Sequence, residues 1–171
     1  LLYLHSLREE TPADDPSFTG ALARHRLRCA APHGGWCWWA DRVCPEFDPA
    51  FTPERYLLDR LVPWMEAAWK LGPRAVAAAG VEMGGQGAVR LALKHPERFP
   101  VAASISGALD LQDWYGSGTP LDAMYESAER CRLDSAVLHI DAARWPRHLW
   151  FACAPDDATC LRGNDRLHEK L

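Results

Sequence analysis

The sequence predicts an α/β fold in which a mainly parallel sheet is flanked by helices. Short apolar runs bounded by turn residues recur along the chain, and segments with helical spacing separate them. The runs lack strict polar and apolar alternation, which is typical of strands buried on both faces of a parallel sheet. Strands that alternate with helices are joined by right-handed crossovers. A chain of 171 residues has the size of about one domain, so we expect a single α/β domain over residues 1–171.

Five segments are predicted as strands because each is short, apolar and bounded by turn residues. They are residues 1–5, 27–31, 75–80, 101–105 and 148–152. The first run starts at Leu1 with no Met or leader before it. We therefore expect the natural N-terminus to lie upstream of Leu1.

Four helices are predicted from caps and helical spacing. The first begins at Thr52, an N-cap residue followed by Pro53 at the first helical position, and runs to about Leu71. Pro63 lies inside it and should bend it, because the proline ring displaces the carbonyl of Asp59. The other helices are expected at residues 83–95, 121–131 and 163–171, with loops at 8–19 and 34–51.

The composition excludes several classes of protein. Hydrophobic residues make up 48% and charged residues 25%, which is near the globular average. The net charge of −4 leaves no basic surface for a nucleic acid or an anionic membrane. No apolar run approaches the ~18 residues of a membrane helix, so we expect a soluble protein. The six cysteines form no C-x-x-C pair and fit no usual zinc pattern, so neither a metal nor a cofactor is predicted.

The most informative segment runs from Ala77 to Ala88, where a buried strand turns abruptly into a helix. Glycines lie two residues before Glu82 and two and three residues after it. A sharp turn from strand to helix strains its central residue and leaves no room for neighbouring side chains. This spacing is the G-x-S-x-G pattern of a nucleophile elbow, with Glu82 in place of the serine.

At this point the sequence resembles a known family. Residues 80–93 (GVEMGGQGAVRLAL), followed by HPERF at 95–99 and SISG at 104–107, are similar to the esterase D-like branch of the α/β-hydrolases. This branch includes S-formylglutathione hydrolases, feruloyl esterases and mycolyltransferases. The resemblance implies an α/β-hydrolase fold, and because the family's chains are longer, it also implies a chain truncated at both ends.

The resemblance extends to three further segments. Residues 2–6 resemble the strand and turn that carry the first oxyanion-hole donor, and residues 32–39 resemble the loop after the next strand. Residues 153–157 resemble the strand end that holds the acid of the catalytic triad. The resemblance therefore covers nearly the whole chain.

Individual roles follow from the resemblance. Glu82 takes the nucleophile position, and the backbone N–H groups of Met83 and Leu7 would form the oxyanion hole. Asp157 would be the triad acid, with Asp156 as the alternative residue. Capping of the following helix is the alternative role for Asp157.

The remaining candidates border the expected cleft. His5, Trp38 and Trp39 are predicted to contact the substrate, with turn formation or loop packing as the alternative. In the family a histidine on a loop beyond a further strand completes the triad. Here only His168 follows Asp157, and it lies in a predicted helix. The sequence therefore has no evident triad histidine.

These observations predict an esterase relative with weak or lost activity. One alternative is a non-catalytic binding module, and another is a hydrolase that uses the Glu82 carboxylate as its nucleophile. The Glu82 carboxylate could also accept hydrogen bonds from the free N–H groups at the start of the following helix and so block the site. The expected ligand is a small-molecule ester or acyl compound, a homo-oligomer is left open, and a cytoplasmic location is expected.

Overall fold

A computed structural model describes all 171 residues of the chain. Four parallel strands form one sheet in the order β1-β2-β3-β4. They are β1 Leu2–Leu4, β2 Ala77–Val81, β3 Val101–Ile105 and β4 His148–Ala152. Helices connect and flank these strands, so the predicted α/β architecture with a mainly parallel sheet is confirmed.

Four of the five predicted strands are present, and β3 and β4 have the predicted bounds. The prediction of a strand at residues 27–31 is wrong. Only Ala30 pairs there, accepting a hydrogen bond from the Tyr3 N–H at 2.8 Å and donating one to the Leu1 carbonyl at 2.9 Å. Leu27 is exposed and Pro32 has no N–H to donate, so this apolar run does not continue the ladder.

The chain forms seven α-helices: α1 Pro16–Arg24, α2 Pro53–Tyr56, α3 Val62–Trp69, α4 Met83–Lys94, α5 Leu121–Met124, α6 Ala128–Leu133 and α7 Leu161–Lys170. The predicted loop at 8–19 is wrong in its second half, because α1 begins at Pro16. Asp15 caps this helix by accepting a hydrogen bond from the Ser17 N–H at 2.7 Å. No helix combines the length and the apolar character needed to cross a membrane.

Two predicted helices are irregular. Between α2 and α3, residues Leu57–Leu61 form a π-helical turn that ends two residues before Pro63, so this helix is not a regular α-helix throughout. The bend expected at Pro63 stays a prediction. The helix predicted at residues 121–131 is divided into α5 and α6. The break occurs because Tyr125 is extended, with φ −123° and ψ 140°, and Ser127 caps a new helix.

The main core lies on one face of the sheet. Helix α4 packs against β1, β2 and β3, and its residues from Met83 to Leu93 are all buried. The opposite face is only half covered, since Ile105 of β3 is 48% exposed and Trp150 of β4 is 55% exposed. The core therefore fixes the N-terminus of α4 at the carboxyl edge of the sheet.

Candidate active site

Residue 82 lies at the tip of a sharp turn between β2 and α4, as the glycine spacing predicted. Glu82 has φ 49° and ψ −113°, a conformation that residues with a Cβ rarely adopt. Its N–H donates to the Ile105 carbonyl at 3.1 Å, and its carbonyl accepts from the N–H groups of Gln86 and Ala108 at 3.0 Å each. The strained backbone is thus held by hydrogen bonds on both sides, which is the geometry of a nucleophile elbow.

Two glycines make this turn sterically feasible. A Cβ on Gly80 would lie 2.3 Å from the carbonyl carbon of Gly84. A Cβ on Gly84 would lie 1.8 Å from the carbonyl oxygen of Leu4. The ends of β1 and β2 and the first turn of α4 can approach one another only because these two positions have no side chain.

The strain at residue 82 gives a first prediction. Glu82→Gly is expected to have a free energy of unfolding about 1 kcal/mol higher than Glu82→Ala, because glycine adopts a positive φ without a steric penalty. Alanine is the matched control, since it removes the same carboxylate but keeps the Cβ. Urea unfolding followed by tryptophan fluorescence measures both variants, and equal stabilities would show that the backbone at Glu82 is not strained.

The two backbone donors predicted for the oxyanion hole are free. Neither the Met83 nor the Leu7 N–H donates to a loop, turn or side-chain acceptor, and Met83 as the first residue of α4 has no acceptor within its helix. Other atoms of these two residues form hydrogen bonds with the tryptophan-rich loop. The Leu7 carbonyl accepts from the Trp36 indole N–H at 2.8 Å, and the Met83 sulfur accepts from the Trp38 N–H at 3.2 Å. Met83 is fully buried and Leu7 is half-buried, so their role as oxyanion donors stays a prediction.

The Glu82 carboxylate does not cap α4. Its side chain accepts no hydrogen bond from the N–H groups of the first helical turn. The alternative in which Glu82 folds back and blocks its own oxyanion donors is therefore wrong for this structure. Glu82 is half-buried, and its carboxylate has no hydrogen-bond partner within the protein.

Asp157 follows β4 and caps the turn before α7. Its Oδ1 accepts from the N–H groups of Thr159 at 3.1 Å and Cys160 at 3.0 Å. The Cys160 N–H is the main cause that lowers the pKa of Asp157; burial opposes it, and the nearby Ser106 hydroxyl adds to the lowering. These bonds favour the anionic form of Asp157, but they cap the preceding turn and not helix α7, whose N-cap residue is Cys160. The role of Asp157 as triad acid stays a prediction.

No histidine hydrogen-bonds to Glu82 or to Asp157. The histidine side chains that do form hydrogen bonds have other partners, and they are His5, His95 and His139. His168 is exposed on α7. Because Glu82 follows β2 and Asp157 follows β4, the parallel sheet places both at its carboxyl edge, without a histidine to connect them.

The two predicted cleft tryptophans lie in the core. Trp38 and Trp39 have no exposed surface. The ring of Trp38 packs edge-to-face against Trp114 at 5.4 Å between centroids, and the ring of Trp39 packs against His5 at 5.0 Å. This arrangement matches the loop-packing alternative. The exposed member of the tryptophan-rich loop is Trp36.

His5 is also fully buried, and its ring is fixed in one neutral form. Its Nε2 accepts from the Gly34 N–H at 3.0 Å, so its proton lies on Nδ1, which donates to the Ser6 carbonyl at 2.8 Å. Burial lowers the pKa of His5, and the hydrogen bond to Ser6 opposes this only in part. His5 therefore ties together the loops after β1 and around Gly34, and it is not placed to act as a base for Glu82.

Two groups near Asp157 were not predicted as site residues. Ser106 follows β3 with φ 45°, and the turn-forming Ser-Gly pair that contains it was the sequence signal for this bend. Cys160 is buried, and its pKa is raised to about 12, first by burial and then by the charges of Asp157 and, more weakly, Glu82. The thiol is thus within electrostatic reach of both carboxylates, a proximity that no local pattern indicates.

The elbow is an open site. None of the five main cavities of the molecule is lined by Glu82 or Asp157. No group of three or more His, Cys, Asp or Glu side chains is arranged to hold a metal ion. The groups described at this edge of the sheet are thus two carboxylates, one hydroxyl, the Cys160 thiol and the two N–H groups without a partner.

Comparison with known proteins identifies the family. The family model described as "Putative esterase" matches residues 35–165. The MPT51/MPB51 antigen of Mycobacterium tuberculosis is 43% identical over 92 residues, which is 52% of this chain and 29% of that protein. Esterase Rv1288 of the same organism is 30% identical over 146 residues, which is 74% of this chain and 32% of that protein. The chain thus spans less than a third of the length of these curated relatives.

A solved structure supports the same assignment. The S-formylglutathione hydrolase from Agrobacterium tumefaciens superimposes with a TM-score of 0.77 at 17% identity, over 99% of this chain and 69% of that chain. At this identity the likeness shows the fold alone. The family match covers most of the chain and the structural match covers nearly all of it, so the chain belongs to the esterase family and has the α/β-hydrolase fold of its esterase D-like branch.

Proposed function

We propose that this chain keeps the frame of an esterase active site but has little or no serine-type esterase activity. The observation that carries the proposal is the side chain at the strained elbow position. Residue 82, with φ 49°, has a carboxylate there and not a hydroxyl. Ester hydrolysis by this fold needs a hydroxyl that a neighbouring histidine can deprotonate. A glutamate side chain has no such hydroxyl and attacks an acyl carbon weakly, so the acylation step is lost.

The surroundings of Asp157 support the same proposal. In a triad, the acid orients and stabilises a histidine. Here the Oδ1 of Asp157 accepts hydrogen bonds from two backbone N–H groups, and no histidine forms a hydrogen bond to its carboxylate. Within residues 1–171 the serine of the ordinary mechanism is replaced by Glu82, and one oxygen of Asp157 is already engaged by the main chain.

Hydrolysis with a carboxylate nucleophile is the second candidate. One observation favours it. The Glu82 carboxylate caps no helix, and the N–H group of the next residue, Met83, has no hydrogen-bond partner. Attack of this carboxylate on an ester would expel the alcohol and form a mixed anhydride. Water would then have to cleave the anhydride to release the acid and restore Glu82. The site places no base for that water, which makes the non-catalytic reading the better supported of the two.

The assay of p-nitrophenyl acetate hydrolysis separates these proposals. We expect the chain and its Glu82→Ala variant to hydrolyse the ester at equal rates, because Glu82 takes no part in the reaction. A rate for the unchanged chain that is clearly above that of Glu82→Ala would favour the carboxylate nucleophile. Glu82→Gln is the matched control, since it keeps the size of the side chain and removes its charge.

A binding role for the same edge of the sheet can be tested without turnover. The amide p-nitroacetanilide resembles the ester but is much harder to cleave. We expect it to shift the NMR resonances of the Met83 and Leu7 amides, the two free donors.

A small-molecule ester or acyl compound stays the proposed ligand. A cytoplasmic location and a homo-oligomer stay predictions.

A further inference from the structure

A second site of different chemistry lies away from the elbow. The arginine cleft is a cavity of about 370 Å³ between the loop at residues 41–42, helix α4 and helix α6. Four basic and two acidic side chains line it, namely Arg42, Arg90, Lys94, Arg130, Asp41 and Asp134. An adjoining cavity of about 240 Å³ shares Arg42 and Arg130. The volume lies in the range of small-molecule sites, roughly 300–1,000 Å³.

Two of the four basic groups are already neutralised within the protein. The Arg90 side chain is 1% exposed and forms ion pairs with Glu54 and, at 2.6 Å, with Asp134. The Lys94 ammonium donates to the second oxygen of Glu54 at 2.7 Å. These groups form a rigid, internally paired wall and need no further partner.

The other two basic groups have no partner. Arg42 and Arg130 are exposed, and neither guanidinium forms an ion pair or a hydrogen bond. The Arg42 guanidinium stacks over the Tyr125 ring, 5.4 Å from its centroid, so its position is fixed while its N–H groups stay free. By contrast, Arg132 on the same helix as Arg130 forms a bidentate pair with Glu129.

We propose that the arginine cleft binds a small soluble molecule that carries a phosphate group, with Arg42 and Arg130 holding the phosphate oxygens. Each guanidinium presents planar donors that match phosphate bidentately. The acidic groups that line the arginine cleft itself are engaged, Asp134 by Arg90 and Asp41 by the Thr52 hydroxyl at 2.7 Å, while Glu126 lines only the adjoining cavity. Since the chain as a whole carries a net charge of −4, a general attraction for phosphate is not expected, and binding must come from this local pair.

Titration with inorganic pyrophosphate tests the proposal. Pyrophosphate is expected to shift the amide NMR resonances of the loop at residues 41–42 and of α6 in a saturable manner. Arg42→Gln and Arg130→Gln should each weaken this binding by about tenfold or more, because each removes one charge-assisted contact. Both side chains are exposed and unpaired, so the variants retain the fold, which far-UV circular dichroism verifies.

Arg132→Gln is the matched control and should leave the affinity unchanged, since it removes the same charge from α6 but does not line the cleft. Equal weakening by Arg132→Gln, or no saturable shift in the unchanged chain, would overturn the proposal. Cosedimentation with vesicles that contain phosphatidic acid distinguishes a lipid headgroup from a soluble phosphate. We expect no retention by the vesicles, and retention that Arg42→Gln abolishes would overturn the assignment to a soluble ligand.

Discussion

Gly84→Ala is expected to lower the free energy of unfolding by about 3 kcal/mol or more. The added methyl group would lie 1.8 Å from the carbonyl oxygen of Leu4 and 2.7 Å from that of His5. Both are main-chain atoms, and β1 is held by its parallel pairing with β2, so neither can move aside as a flexible side chain would. The variant must therefore separate β1 from α4 or fail to fold.

Gly20→Ala is the matched control for this prediction. Gly20 lies within α1, and a Cβ there would meet no atom within 4 Å. Alanine favours a helix more than glycine does, so this variant should gain up to about 1 kcal/mol. Urea unfolding of the three proteins under one set of conditions gives the comparison. Stabilities of the two variants within about 1 kcal/mol of each other would contradict the close approach of α4 to β1.

Arg90→Met is expected to lower the free energy of unfolding by about 3–5 kcal/mol. Arg90 lies at the centre of a buried ion network, paired with Glu54 on one side and with Asp134 on the other. Methionine fills a similar volume but leaves the buried Glu54 and the partly buried Asp134 without their shared cation. Arg132→Met, which breaks the exposed pair with Glu129, should leave the stability nearly unchanged.

The pH dependence of the Arg90→Met effect provides a second check. Burial alone would raise the pKa of Glu54, but the hydrogen bond from His95 and the charges of Arg90 and Lys94 lower it from 4.5 to about 2. Because the pKa of the folded state is the lower one, this interaction stabilises the fold fully above about pH 4.5 and is lost as the pH falls toward 2. The difference between the unchanged chain and Arg90→Met should therefore shrink over this acid range. A difference that stays constant would show that the loss comes from packing and not from charge.

The sequence predicted those parts of the molecule whose cause is local. The bounds of β3 and β4 follow from buried runs that end at turn residues, and the turn at Glu82 follows from the glycines that it requires. Residues 27–31 have the same apolar pattern as a strand, but pairing depends on a neighbour, and only Ala30 has one. Helix α1 was missed although Asp15 and its following proline are a helix-start pattern.

The site was predictable in position but not in its contacts. The glycine spacing places Glu82, while nothing near Asp157 in the sequence shows that its Oδ1 is already engaged by two backbone donors. The burial of Trp38 is likewise a property of the tertiary packing. The pair between Glu54 and Arg90 joins residues 36 positions apart, a distance over which a local pattern carries no information.

The backbone conformation of residue 82 is compatible with several different side chains at this position. Side chains that are not branched at Cβ meet a similar steric penalty there, because most of the penalty arises from the backbone and the Cβ. The glycines that allow the bend are neighbouring residues, and the three hydrogen bonds use only the main chain of residue 82, so neither depends on the side chain at this position. A serine, an aspartate or a glutamate can therefore occupy one unchanged scaffold, and a lineage can abandon or regain a reaction here without rebuilding the architecture that surrounds it.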